Sequence, residues 1–281
     1  MTRFGRREFL VGGAAALPLV TVAGPAFAAK RDRKDDTPYG GFRMGSQSYS
    51  FRYFKDPAVA IAKLKELGLS DMEFCSVHFK PDAADPGFAA IKTLIETSGI
   101  RAPVFGVEGF GKDDAANRKK FEFAKALGVE IFSADVEKDA EAFKSVNALC
   151  TEFNVKIAIH NHGPGARYDK VSDTLNAVNG SGPLVGACVD TGHVIRSGEK
   201  PHEVIAALGP RVHSLHLKDW TYGGAEQTAG EGDMDLVAVA KALKAIKFTG
   251  PIMLEYENHE DDPVPHMKKG LEKWQKACDQ A

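Results

Sequence analysis

The chain is poor in the residues that mark several large protein classes. It has four cysteines and two tryptophans in 281 residues. Cys75, Cys150, Cys188 and Cys278 lie far apart and form no C-x-x-C pair, though in an oxidising compartment they could pair. A chain this long needs no disulfide staples. Cys188 sits in the apolar run LVGACVD and reads as a buried free thiol. No G-x-G-x-x-G opens the first unit, so a dinucleotide-binding sheet has no anchor. Lysine and arginine total 36 against 38 acidic residues. That balance gives no reason to expect nucleic acid or an anionic membrane as a partner.

Long apolar runs are also missing. The least polar stretch lies near the N-terminus and is broken by Gly12, Gly13, Pro18 and Gly24, short of the ~20 residues that span a bilayer. It follows Arg6-Arg7 and ends at Ala26-Phe27-Ala28, the order of charged head, apolar body and A-x-A cleavage site of an export signal. The Arg-Arg-Glu-Phe-Leu start resembles a twin-arginine signal. The expected organisation is therefore a signal over 1–28, a flexible linker over 29–41 and a single domain over 42–281. A processed protein of this kind would be periplasmic and free of the membrane.

Within 42–281 one phrase recurs: an amphipathic run, a glycine, then a short β-like run, as in KFEFAKALGVEIFSA and VIAALGPRVHSLHL. Apolar spacing of three and four marks the helices, and the glycine marks their ends. Asp56-Pro57 supplies an N-cap with proline at the first helical position. Eight strands are expected, in FRMGSQSYS, SDMEFCS, RAPVFGV, VEIFSA, VKIAIHN, LVGACVD, RVHSLHL and PIMLEYE. Strands alternating with helices imply a parallel sheet, and eight of them imply a closed (β/α)8 TIM barrel. The alternative is a doubly wound open sheet.

In such a barrel the strand C-termini open on one face, where chemistry is done. His160 and His162 end the fifth strand, and Asp190 and His193 follow the sixth. His216 and Lys218 end the seventh, and Glu255 and Glu257 the eighth. Alternation puts Ser214, His216 and Lys218 on the inward side and His213 toward the helices. Imidazole and carboxylate together form a ligand set for zinc, manganese, magnesium or cobalt. Glu73 and Glu108, near the ends of the second and third strands, are candidates for binding substrate hydroxyls. Glu257 is a third candidate at the rim. Tyr49 to Phe54 offer aromatic walls for a sugar or simply core, while His78, His202, His259 and His266 are expected at the surface.

CVDTGH, HSLHLKD, GEGDMD and GPIMLEYE, in this order and spacing, resemble the xylose-isomerase-like barrel superfamily. It includes sugar and sugar-phosphate isomerases and epimerases, inosose dehydratase and endonuclease IV. The resemblance implies one divalent metal ion held by Asp190, His216, Glu255 and a fifth-strand ligand. Ketose epimerases of the family carry glutamate there; this chain has His160, with His162 as the alternative. A His-rich fifth strand looks more like the dehydratase branch.

The expected enzyme removes a proton beside the carbonyl of a sugar or polyol. Glu255 or His162 would act as base, and His193 and Lys218 would steady charge or protonate a leaving hydroxyl. A non-catalytic periplasmic sugar-binding protein is the rival reading. Nuclease chemistry is disfavoured because Glu73 and Glu108 stand where a three-metal cluster would need histidines.

Overall fold

The computed structural model describes residues 38–281. The expected export signal and the first part of the linker lie outside the described residues. The rest of that linker, 38–41, is a turn whose Tyr39 packs against the core. Among the described residues no helix is long and apolar enough to cross a membrane.

Eight parallel strands close into a barrel, as the alternation predicts. They are β1 (Arg43–Gln47), β2 (Asp71–Phe74), β3 (Arg101–Phe110), β4 (Ile131–Val136), β5 (Lys156–His160), β6 (Val185–Asp190), β7 (Val212–Leu217) and β8 (Pro251–Leu254). Each pairs with its chain neighbour, and β8 closes on β1 through registers such as Ser46 with Leu254. The fold is a (β/α)8 TIM barrel of one domain.

The connecting helices begin and end where local chemistry dictates. Helix α1 (Pro57–Glu66) starts at Asp56, whose carboxylate accepts from Ala58 N at 2.8 Å. Helix α3 (Asp114–Leu127) stops at Gly128, where φ of 85° takes the chain into the left-handed region that glycine enters without a Cβ penalty. Helix α6 (Thr191–Arg196) begins directly at the end of β6, so the two elements share Asp190 as strand end and helix cap.

Two apolar layers hold the barrel. Inside it, Val104, Ile131, Ala158, Cys188 and Met253 pack together. Outside it, a phenylalanine cluster between β2–β4 and the helices carries much of the burial: Phe105 meets Phe123 edge-on at 5.1 Å and Phe110 meets Phe132 at 5.4 Å. All four cysteines are buried and free. At the N-terminal end Asp71, fully buried, receives Arg43 Nε at 2.6 Å and Arg101 Nε at 2.8 Å. That paired charge closes the barrel at the end opposite the site, the end that serves stability in this fold.

Candidate metal centre

Four neighbouring strands deliver the centre. In β5 the outward Ile157 and Ile159 pack toward the helices while Ala158 and His160 turn inward. His160 is opposite Cys188 on β6, Asp190 is opposite His216 on β7, and His216 is opposite Met253 on β8. Glu255 follows at the end of β8. Ligand atoms of His160, Asp190, His216 and Glu255 lie within 4.8 Å of one another, all buried.

The spacings fit a single ion. His160 Nε2 is 3.1 Å from His216 Nδ1 and 3.6 Å from Asp190 Oδ2; His216 Nδ1 is 3.8 Å from Asp190 Oδ2 and 2.8 Å from Glu255 Oε2. A tetrahedron with bonds of roughly 2.0–2.1 Å has edges of about 3.4 Å. Two buried carboxylate oxygens, Asp190 Oδ2 and Glu73 Oε1, have no hydrogen-bond partner. Orphaned acceptors in a closed polar pocket are costly unless a cation answers them. The cluster is thus positioned to coordinate one divalent metal ion.

Local structure fixes the ligand atoms of Asp190 and His216. Asp190 divides its two oxygens: Oδ1 caps α6 by accepting from His193 N at 2.8 Å, which leaves Oδ2 turned to the centre. Asn161 clasps the Asp190 backbone from both sides, accepting from its N–H at 2.9 Å and donating to its carbonyl at 3.1 Å. His216 Nε2 faces Glu73 Oε2 at 2.8 Å. With its proton on that nitrogen, His216 presents the Nδ1 lone pair to the ion. Burial pulls the Asp190 carboxyl upward, yet His193, His160 and Lys218 hold it well below the usual carboxylate range.

Glu73, expected to bind substrate hydroxyls, is engaged by a ligand histidine. It is fully buried and oriented onto His216. Glu108 is likewise engaged, by Ser76 Oγ and by Lys120 Nζ at 2.9 Å from α3. Glu73 takes its partner from β7, far along the chain, whereas Lys120 lies on the helix that directly follows the strand of Glu108. Glu257 does line the cavity and pairs with Lys218 Nζ. His78, expected at the surface, is half-buried with Nε2 at 3.1 Å from Ser48 O. His213 is buried with its Nδ1 3.3 Å from Ile157 O and its ring over Gly186, where a Cβ would come within 2.6 Å of Cε1; burial pushes it down to about 4.

Above the centre opens a cavity of about 440 Å³, within the range of small-molecule sites. Its lining includes Gln47, Tyr49 and Cys75 together with His162, His193, Arg196 and Glu257. The His162 ring lies 4.5 Å from that of His160 but is not part of the four-ligand cluster. Among the described residues neither of its ring nitrogens has a hydrogen-bond partner. Burial, with the neighbouring His160, pushes it down to about 4.

His193 Nδ1 is 2.9 Å from Arg196 Nη1. Arginine only donates, so Nδ1 accepts and the proton of neutral His193 sits on Nε2, 4.0 Å from Asp190 Oδ2. Burial keeps that ring neutral, down to about 3.

Lys218 is buried yet charged. The acids around it, Glu255 with Oε1 at 3.6 Å and Glu257, raise its ammonium against the opposing effect of burial. Gly192 leaves the room it needs, since a Cβ there would come within 2.8 Å of Lys218 Cγ. Glu226, on a short hairpin formed by 219–220 and 226–227, accepts from Glu257 N at 2.9 Å. Asp219 ties the following loop down by accepting from Gly230 N at 2.8 Å, Gly232 N at 3.0 Å and Met234 N at 3.1 Å.

Sequence reasoning missed Gln47, Asn161, Arg196 and Glu226. For Arg196 a signal existed: it lies three residues after His193 on one helical face.

Comparison with known proteins agrees with this architecture. The inosose dehydratase of Clostridium botulinum (strain Alaska E43 / Type E3) is 27% identical over 152 residues, 47% of this chain and 51% of that protein. In that match the chain spans about half the length of its curated relative. The inosose dehydratase of Clostridium perfringens (strain ATCC 13124) is 26% identical over 219 residues, 69% of this chain and 72% of the relative. A crystal structure of an uncharacterised protein from Parabacteroides distasonis ATCC 8503 superposes with a TM-score of 0.65 at 26% identity, covering 84% of this chain and 98% of that one. The family profile described as xylose isomerase-like TIM barrel matches residues 61–278, and the chain belongs to that family.

Proposed function

We propose that the protein is a metal-dependent enzyme of the sugar isomerase, epimerase and dehydratase group that removes a proton beside the carbonyl of a sugar or polyol and then expels a β-hydroxyl. The observation that carries this reading is the four-ligand centre at the floor of a cavity, with the ring of His162 4.5 Å from that of His160. Inosose dehydratases among the relatives support it.

His160, Asp190, His216 and Glu255 would hold the ion. A bound divalent cation polarises a carbonyl and stabilises the charge that develops as the neighbouring C–H bond breaks. The chain supplies the remaining steps. A ring nitrogen of His162 accepts the proton from carbon, a general-base role open to an imidazole that burial keeps neutral. His193 donates from Nε2–H to the oxygen that gains charge, held in that tautomer by Arg196. Lys218 provides a fixed positive charge beside Glu255. The His162 imidazolium then returns its proton to the departing hydroxyl, so water leaves as the carbon–carbon double bond forms. One residue serving as base and acid needs no carboxylate on the opposite face, and β5 supplies none.

The test is nuclear magnetic resonance of metal-loaded protein with keto-sugars and an inosose in deuterated water. Product that has lost water supports elimination. Deuterium in a rearranged or inverted sugar, with every substituent retained, contradicts it and returns the reading to isomerisation or epimerisation.

The same proposal places the enzyme in the periplasm. Its support is the order of Arg6-Arg7, a short apolar body and Ala26-Phe27-Ala28. Sequencing the N-terminus of the exported protein checks it: Ala29 is expected, and Met1 in a membrane-anchored form would overturn it.

A further inference from the structure

We infer that the cavity selects a substrate bearing a carboxylate, and that Arg196 is the residue that binds it. This deepens the proposed function and rests on its placing the substrate above the metal centre.

Arg196 is the last residue of α6 and lines the cavity with His162 and His193. Its Cζ lies 4.7 Å from the centroid of the Trp220 ring, and Nη1 donates to His193 Nδ1 at 2.9 Å. Gly163 makes room for it, because a Cβ there would come within 2.8 Å of Cζ. The guanidinium is therefore held between an indole and a bare stretch of backbone, which lowers the entropy it would lose on binding a ligand. Among the described residues no carboxylate pairs with it, and neither Nε nor Nη2 has a hydrogen-bond partner.

Among the described residues the two carboxylates that line the cavity, Glu255 and Glu257, are paired. Lys218 pairs with Glu257 and lies 3.6 Å from Glu255, and Glu255 lies on His216 at 2.8 Å. A half-buried cation with unused planar donors gains nothing from a neutral polyol that water would not supply. It gains a two-point charge-assisted contact from a carboxylate. One positive charge also matches a monoanion better than the dianion of a phosphate ester, for which the wall offers no second unmatched cation.

The experiment compares ligands that differ only at one end. Calorimetry on metal-loaded protein measures D-fructose, D-fructuronate and D-fructose 6-phosphate against wild type, Arg196→Gln and Arg196→Lys, with metal content confirming that each variant keeps its site. Wild type is expected to bind the acid at least about tenfold more tightly than the neutral sugar. Arg196→Gln should bring that ratio to about one, and Arg196→Lys should restore part of it. Equal affinity for acid and sugar, a preference that survives in Arg196→Gln, or tightest binding of the phosphate overturns the inference while the proposed function stands. Binding of none of the three overturns both.

Discussion

His216 Nε2 lies 2.8 Å from Glu73 Oε2 across the barrel, joining residues 143 positions apart. The contact turns the other ring nitrogen of His216 to the centre and makes Glu73 a positioning residue. Glu73→Leu, which removes the acceptor, is expected to weaken metal affinity about 10–100-fold. Glu73→Gln, which keeps an acceptor, should lose less. Competition with a chelator measures both, and unchanged affinity in Glu73→Leu would show that the ring is oriented by other means.

The two fifth-strand histidines should separate cleanly. His162→Ala is expected to retain one ion per chain while turnover falls by roughly 10²–10⁴-fold, the ordinary contribution of a general base. His160→Ala should lose stoichiometric metal and activity together. The reverse pattern, with metal lost only in His162→Ala, would move the ligand two residues along the chain.

His213 makes a prediction about acid stability. Its folded-state proton affinity is depressed by burial, down to about 4 against 6.5 for the free imidazole. Above pH 6.5 neither state holds the proton, and below about 4 both do. Between those limits the unfolded chain binds more protons, so stability falls as pH falls through the window. Wild type should lose on the order of 3 kcal/mol more than His213→Gln between pH 6.5 and 4. Urea denaturation at a series of pH values reads the difference, and parallel curves would refute the assignment.

Much of this was legible in the chain because strand alternation and helical spacing are local. The run VHSLHLK places His216 and Lys218 inward, and the structure does the same, whereas a register shift between β6 and β7 sets the His213 ring over Gly186. The eight strands were legible for the same reason. What escaped depends on partners brought together only by closure of the barrel. Glu73 reads as a free acid at a strand end, and nothing near it in sequence announces His216. The clasp of Asn161 on Asp190 depends on the pairing of β5 with β6, and Glu226 reaches Glu257 from a hairpin that pairs it with Trp220. Register shifts within β2–β3 and β3–β4 further blur which residues of the third strand face inward.

Metal analysis of the purified protein and of Asp190→Ala tests the centre most directly. Asp190 caps α6 with one oxygen and turns the other, unpartnered, toward His160 and His216. The account predicts one divalent ion per wild-type chain and almost none in Asp190→Ala, with the barrel's circular dichroism retained. Wild-type protein that binds no divalent ion at saturating concentration, or a folded Asp190→Ala that still holds one per chain, would contradict it.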